Sequence, residues 1–333
     1  MAFTTIDDPS AYFKVQLYTG NSGTNAITFD DTDTDMQPDM VYIKQRSNAG
    51  HESGIFDAVR GTSKDIAPNS AATEGSQSGV TAFGSDGFTL GSANDFNYNT
   101  YTYVAWCWKE SATSGFDIVS YTGNDTARTI SHSLSAVPHF IFATNRTGAN
   151  REIYHHKNTA APETDHLYLN TDAATADSNT RWNDTAPTSS VFSLGTSGNV
   201  NGGSQACIAW LWTSIQGFSK FGKYVGNGDA DGTFVYTGFK PAMVIVKRTD
   251  STGGWYMYDN KRAGYNGSSG YLQADTTSAE DTNAGNFGFD ILSNGFKLKG
   301  TYATVNNSGG NYIFMAWAEA PFVNSNGVPS TAR

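Results

Sequence analysis

Acid–base chemistry on a sugar needs two carboxyl groups roughly 5 to 9.5 Å apart, which on a strand means Glu or Asp at alternate positions. The sequence holds seven glutamates, Glu52, Glu74, Glu110, Glu152, Glu163, Glu280 and Glu319, and no two alternate on one strand-like segment. Glu110 and Glu319 stand singly after Ala-Trp segments. The six histidines are His51, His132, His139, His155, His156 and His166, and only the adjacent His155-His156 pair comes near a zinc spacing. Neighbours on a strand point to opposite faces, so that pair is a poor metal clamp. A Gly-x-Ser-x-Gly elbow, a phosphate-cradling loop and a nucleotide fingerprint do not occur. These patterns predict a non-enzyme, with no catalytic residue, cofactor or metal site.

Other groups could bind rather than react. The run Asp30-Asp31-Thr32-Asp33-Thr34-Asp35 has alternating carboxylates that could hold Ca²⁺ through hard oxygen ligands. It lacks the glycine and terminal Glu of an EF-hand loop, and a solvated hairpin tip is the simpler reading. Asp229 and Asp231, beside Gly228 and Gly232, match less well. Arg46, Arg146 and Arg248 end similar apolar segments, and guanidinium forks suit carboxylates and sugars. Bases that recur with a repeat usually serve the shared fold, so strand-end pairing is the favoured reading. Asp57 with Arg60, and Asp259 with Arg262, read as local ion pairs; Tyr154-His155-His156-Lys157 replaces them in the middle of the chain. Trp182, in Trp182-Asn183-Asp184-Thr185, and Trp255 could each offer a sugar platform, although packing is the commoner fate of an indole.

The elements that must position these residues come as a repeat. Tyr18-Thr19-Gly20-Asn21, Tyr121-Thr122-Gly123-Asn124 and Tyr224-Val225-Gly226-Asn227 recur at about 103 residues, preceded by Phe13, Phe116 and Phe218. A proline then leads an apolar strand ending in a base: Pro38 to Arg46, Pro138 to Arg146, Pro241 to Arg248. Gly87-Phe88-Thr89-Leu90, Val191-Phe192-Ser193-Leu194 and Gly295-Phe296-Lys297-Leu298 follow, then Asn97, Asn201 and Asn306. Each copy closes on Ala-Trp: Ala105-Trp106, Ala209-Trp210 and Ala316-Trp317.

A copy of this length suits one two-sheet sandwich and is too long for a solenoid turn. The fold class expected is all-β: three tandem β-sandwich repeats, jelly-roll or concanavalin-like. They span residues 1–113, 114–215 and 216–320, followed by a polar tail, 321–333, expected to be extended or mobile. The joins Lys109 to Gly115 and Thr213 to Gly217 are too short for flexible tethers, which predicts a fixed rod or a compact triad.

Composition narrows the partners. Lys and Arg number 21 against 31 Asp and Glu, so the net charge of −10 disfavours nucleic acid and anionic lipid, and no Lys/Arg cluster in the sequence offers a local exception. Aromatics at 13% argue against disorder, and 35 glycines with 16% charged residues argue against a helical bundle. The longest apolar runs, such as Tyr103 to Trp108, are too short to cross a bilayer, so no membrane insertion is expected. The opening Met-Ala-Phe-Thr-Thr-Ile-Asp-Asp-Pro lacks the basic and apolar parts of a secretory signal, and Cys107 and Cys207 are expected as reduced thiols.

Several segments carry a resemblance: Phe234-Val235-Tyr236-Thr237-Gly238-Phe239-Lys240-Pro241, Lys247-Arg248-Thr249-Asp250-Ser251-Thr252-Gly253, Leu292 to Leu298 and Ala318-Glu319-Ala320-Pro321-Phe322-Val323. With Ala2 to Pro9 and Trp182 to Pro187, they resemble repeated β-domains of unassigned function in virion-associated proteins of marine tailed bacteriophages. The resemblance implies a non-enzymatic virion structural protein, foremost a tail-fibre or tail-associated adhesin contacting a host surface glycan. A capsid decoration or head-fibre protein is the second reading, and a polysaccharide-degrading enzyme the third. The implied partners are other virion proteins of tail or capsid, a host glycan and further copies of the chain in a homo-oligomer. The implied location is the virion surface after synthesis in a host cytoplasm. No coiled-coil heptads specify a trimer.

Overall fold

The structure, a computed structural model, describes residues 3–29, 34–262, 270–282 and 287–330. Among these, strands dominate and the α-helices are single turns. The strands fall into three units, each with one large antiparallel sheet and one small covering sheet.

In unit 1 the large sheet runs Phe13–Thr19, Thr102–Trp108, Met40–Gln45, Gly54–Asp57, and the cover runs Asn25–Thr28, Gly87–Leu90, Val80–Gly84. In unit 2 the large sheet runs Phe116–Thr122, Ala206–Trp212, Phe140–Asn145, Glu152–His155, Asp165–Tyr168, Ala176–Asp177. Its cover pairs Val191–Leu194 with Arg128–Ser131. In unit 3 the large sheet runs Ser219–Val225, Asn311–Pro321, Phe239–Arg248, Trp255–Asp259, Leu272–Gln273. Its cover runs Phe234–Tyr236, Gly295–Leu298, Phe289–Leu292. First and last strands pair in every large sheet, so the chain leaves each unit beside its point of entry.

Strands such as Met40–Gln45 and Phe140–Asn145 are buried along their whole length because both faces are covered. Alternation divides the two faces. Val41, Ile43, Ala105 and Cys107 face the cover of unit 1, while Met40, Tyr42, Trp106 and Trp108 enter a core shared by all three units. Ile141, Ala143, Ala209 and Leu211 likewise face the cover of unit 2, and Phe140, Phe142, Trp210 and Trp212 enter the shared core. At its centre Trp108, Trp212 and Trp317 meet edge to face, with ring centroids 5.2 Å (Trp108–Trp317), 6.2 Å (Trp108–Trp212) and 6.2 Å (Trp212–Trp317) apart. The arrangement is a closed triad about a pseudo-threefold axis. Its central core is common property, so the units are not self-contained sandwiches set side by side.

Strand register corrects three repeat equivalences read from the motifs. Trp108 lies opposite Phe13 and Met40, Trp212 opposite Phe116 and Phe140, and Trp317 opposite Ser219 and Met243. Trp317 is thus the counterpart of Trp108 and Trp212, and Met315 stands where the other units carry Trp106 and Trp210. Ser219, not Phe218, corresponds to Phe13 and Phe116. Gln45, Asn145 and Arg248 are counterparts, so Thr249 takes the place of Arg46 and Arg146. The cause lies in the sequence of unit 3, where Ala-Trp falls two positions later along the closing strand and the Phe and the Arg each fall one position earlier than in the other units.

The Tyr-x-Gly-Asn motif has one job in all three units. The hydroxyls of Tyr18, Tyr121 and Tyr224 donate to the carbonyls of Phe96, Val200 and Val305, at 2.7, 2.8 and 2.6 Å. The next residues, Asn97, Asn201 and Asn306, are fully buried and hold the motif loop against a one-turn helix. Asn201 Nδ2 donates to Thr126 O (2.8 Å) and Gly195 O (2.7 Å), and its Oδ1 accepts from Asn124 N (3.1 Å). A Cβ on Gly20, Gly123 or Gly226 would lie 2.1, 2.0 or 2.3 Å from a backbone carbonyl oxygen of that helix end, so only glycine allows the approach.

The tail differs from the extended or mobile segment expected. Through Ser330 it forms a small turn, with Asn324 N bonded to Val328 O (2.9 Å) and Val323 bridged to Pro329. Ser325 N also donates to Asp7 Oδ1 (2.6 Å), drawing the two ends of the described chain together.

Replacing Asn201 by Ala strands two carbonyls and an amide in a buried site, each of which costs about 1–3 kcal/mol. We expect Asn201→Ala to lower the free energy of urea unfolding by about 3 kcal/mol or more; a loss below about 1 kcal/mol would show that water replaces the amide there.

Candidate functional site

Two of the three seams between units are closed by the same buried network. Where unit 2 meets unit 1, Asp57 and Arg60 form a fully buried ion pair (2.6 Å), and Trp210 Nε1 of unit 2 donates to Asp57 Oδ2 (3.2 Å). The Arg60 guanidinium lies over the same Trp210 ring, 5.2 Å from its centre. Glu74 then joins Arg60 (3.1 Å) to Arg146 of unit 2 (2.6 Å). Burial alone would raise the Glu74 pKa; Arg146 and Arg60 outweigh it and hold the carboxyl below its ordinary value.

Where unit 1 meets unit 3 the pattern repeats. Asp259 pairs with Arg262 (2.6 Å) and accepts from Trp106 Nε1 (3.2 Å), while Glu280 joins Arg262 (3.4 Å) to Arg46 (2.6 Å). Arg46 and Arg146 therefore work as inter-unit ties rather than free ligand forks. Backbone amides reinforce each seam: Glu74 N to Arg146 O (2.9 Å), Glu280 N to Arg46 O (2.8 Å) and Thr175 N to Thr249 O (3.0 Å).

The third seam, between units 3 and 2, keeps that backbone bond and loses the network. His155 occupies the Asp57 and Asp259 position, and Met315 occupies that of the tryptophan donor. Thr175 and Thr249 stand in place of the Glu–Arg pair. Acceptor and donor have changed together. The His155 ring is buried, with Nε2 3.3 Å from Phe314 O, and burial holds its pKa well below the ordinary value, so the ring is neutral.

This seam opens into a cleft of about 570 Å³. Unit 2 contributes His156, Lys157 and Thr159; unit 3 contributes Lys220 and Lys223 from Ser219–Val225, and Phe234 and Tyr236 from its cover. Phe234 and Tyr236, two apart on one strand, share a face and are 45% and 47% exposed. Lys220 Nζ donates to Tyr236 O (2.8 Å) and sits 5.3 Å from the Tyr236 ring centre. Burial pushes the Lys220 pKa down. Lys157 and Lys223 are exposed, and among the described residues neither has a carboxylate partner. No carboxylate is among the described residues that line the cleft.

The absence of a basic cluster, expected from the sequence, is therefore corrected: Lys157, Lys220 and Lys223 are far apart in the chain and converge in space. Register shows how local this chemistry is. The counterparts of Phe234 are Ala26 and Thr129, and those of Tyr236 are Thr28 and Ser131. Lys223 is replaced by Leu17 and Ser120, and His156 by Ala58 and Asn260. The corresponding hollow between units 3 and 1 holds about 160 Å³ and includes Glu319 beside Lys14 and Lys261.

Other candidates from the sequence lie elsewhere. Trp182 and Trp255 are buried at 2% and 0% exposure, so neither is a platform; Trp255 Nε1 donates to Tyr168 O (2.9 Å). Of the acidic run only Thr34 and Asp35 are described, and Asp30, Asp31, Thr32 and Asp33 lie outside the described residues. Asp229 Oδ1 accepts from Asp231 N (2.8 Å), and Asp231 pairs with Lys297. Arg248 binds Asp250 (2.7 Å) within its own unit. Cys107 and Cys207 are buried free thiols. No cluster of three metal-ligating side chains occurs among the described residues. One carboxyl pair is not visible as an alternation in sequence: Glu110 bonds to Asp117 across the join of units 1 and 2. Burial first, then that hydrogen bond, raise the Glu110 pKa. Its Oε1 accepts from Ile118 N (3.2 Å), a bond that ties the join.

His139, His155 and His156 gather beside the cleft. The His139 and His156 rings stack at 4.0 Å, and His156 Nε2 lies 2.9 Å from Phe221 O of unit 3. Burial holds the His156 pKa down at about 4, and Lys157 and His139 push it the same way.

Sheet topology, the shared aromatic core and the interlocked seams define an all-β protein of three fused repeats, two of whose seams carry the buried Asp–Arg–Trp network while the third is cation-lined. The chain belongs to the family described as Domain of unknown function (DUF7483), whose model matches residues 8–321. No curated protein matches it.

Two measurements test this account of the seams. Arg60→Leu strands a buried Asp57 and should cost about 3–5 kcal/mol, whereas Arg248→Leu, at a part-exposed pair, should cost under about 1 kcal/mol in the same urea titrations. Between its unfolded value of 6.5 and its folded value of about 4, His156 is protonated only in the unfolded chain. Stability should therefore fall as pH drops through that window, and His156→Gln should make the fall shallower; equal slopes would show that the ring is already charged when folded.

Proposed function

We propose that this protein is a non-enzymatic virion structural protein of a tailed bacteriophage, a tail-fibre or tail-associated adhesin that contacts a host surface glycan. The observation that carries the reading is the cleft between units 2 and 3. Two exposed aromatic rings and three lysines face one hollow, and the described lining has no carboxylate to act as acid or base. Aromatic rings offer a face for the apolar side of a sugar ring. The interlocked triad is a firm base for such a contact, since ordering cost is already met before binding. The sequence resemblance to virion-associated β-domains supports the setting, the virion-protein partners and assembly into a homo-oligomer.

The purified protein is expected to bind host surface glycans on an array and to block phage adsorption to its host. Failure in both assays, with labelled protein located on the head by microscopy, would instead assign capsid decoration. Release of reducing ends from host polysaccharide would overturn the non-enzymatic reading.

A further inference from the structure

We propose that the cleft between units 2 and 3 selects acidic saccharides: uronate- or sulfate-bearing chains whose sugar rings lie on Phe234 and Tyr236 while their anionic groups meet Lys157 and Lys223. The inference rests on the adhesin reading and narrows its ligand.

Charge makes the argument. A chain of net charge −10 repels polyanions at long range, so a hollow lined by three lysines with no carboxylate in its described lining is a local reversal of field; Asp250, in the hollow adjoining Lys157 and Lys223, is paired with Arg248. Lys157 comes from the turn after Glu152–His155 in unit 2, and Lys223 from the first strand of unit 3, so the pair spans the seam. Lys220 is held back, bonded to Tyr236 O, and serves to set the aromatic face.

The repeat supplies an internal control. Residues that recur in all units hold the fold, whereas the aromatic pair and Lys223 occur once and converge on one hollow. At the Lys220 position, unit 1 has Lys14 and unit 2 has Asp117. Gly222, in the cleft lining, has no room for a side chain, because a Cβ would lie 2.5 Å from the Phe314 ring. Rings and ammonium groups together fit alternating sugar faces and acidic substituents better than they fit a neutral glycan, which would leave the lysines without partners. Duplex DNA would use the charge and ignore the rings.

Titration calorimetry on the full chain with an oligogalacturonate, a sulfated galactan oligosaccharide and a neutral gluco-oligosaccharide tests this. One or both acidic probes should bind at least about tenfold more tightly than the neutral one, and added salt should erode that margin. Comparing the two acidic probes separates carboxylate from sulfate recognition. Lys157→Gln with Lys223→Gln should abolish the acidic preference, and Phe234→Ala with Tyr236→Ala should weaken all sugar binding by about tenfold or more, with melting temperatures unchanged. Equal binding of neutral and acidic probes, or indifference to the lysine pair, overturns the inference. DNA binding that matches the acidic sugars and ignores the aromatic pair also overturns it. If adsorption is still blocked in those cases, the adhesin reading stands; silence on every glycan with no block removes both.

Discussion

The structure depends on a charge pair that water cannot reach. Asp57 with Arg60, and Asp259 with Arg262, are wholly buried, and each carboxylate takes a further hydrogen bond from an indole in the adjoining unit. A buried ion pair gains little net stability unless its remaining hydrogen-bonding capacity is filled. Here the filling comes from another unit, so the pair is satisfied only when the triad is closed. Specific geometry between units, rather than raw stability, is what such a pair confers. The aromatic contacts among Trp108, Trp212 and Trp317 supply non-directional cohesion on the axis, and the charged networks fix orientation around it.

Two seams carry this device, and the third shows what happens when it is dismantled. Removing the indole alone would leave a buried carboxylate short of a donor. Removing the carboxylate alone would leave an indole N–H unmatched. The chain has changed both, to Met315 and His155, with the Glu–Arg pair becoming Thr175 and Thr249. Without that network, this seam holds the cleft of about 570 Å³. The buried charge networks and the cation-lined cleft therefore occupy different seams of one repeated body.

Much of the fold was legible in the sequence because the repeated residues are those that touch backbone. Tyr18, Gly20 and Asn97 recur since a hydroxyl, a missing Cβ and a buried amide each satisfy a fixed backbone geometry. The register of unit 3 was not legible, because Phe218, Arg248 and Ala316-Trp317 imitate the motif residues of the other units while standing one or two positions away from them. The cleft was hidden for a related reason. Lys157, Lys220 and Lys223 form no run, and only register shows that Lys223 stands where the other units carry Leu17 and Ser120. Arg46 and Arg146 were visible as a pair, yet their partners Glu280 and Glu74 lie in loops of other units, where spacing carries no signal.

The broken symmetry has a further consequence. Had all three seams remained alike, one chain would present either three equivalent hollows or none. As built, its valence at this surface is one. If this surface is the adhesive one proposed above, strength of attachment would grow with the number of copies held side by side rather than with the number of repeats in a copy, and avidity would be a property of an assembly.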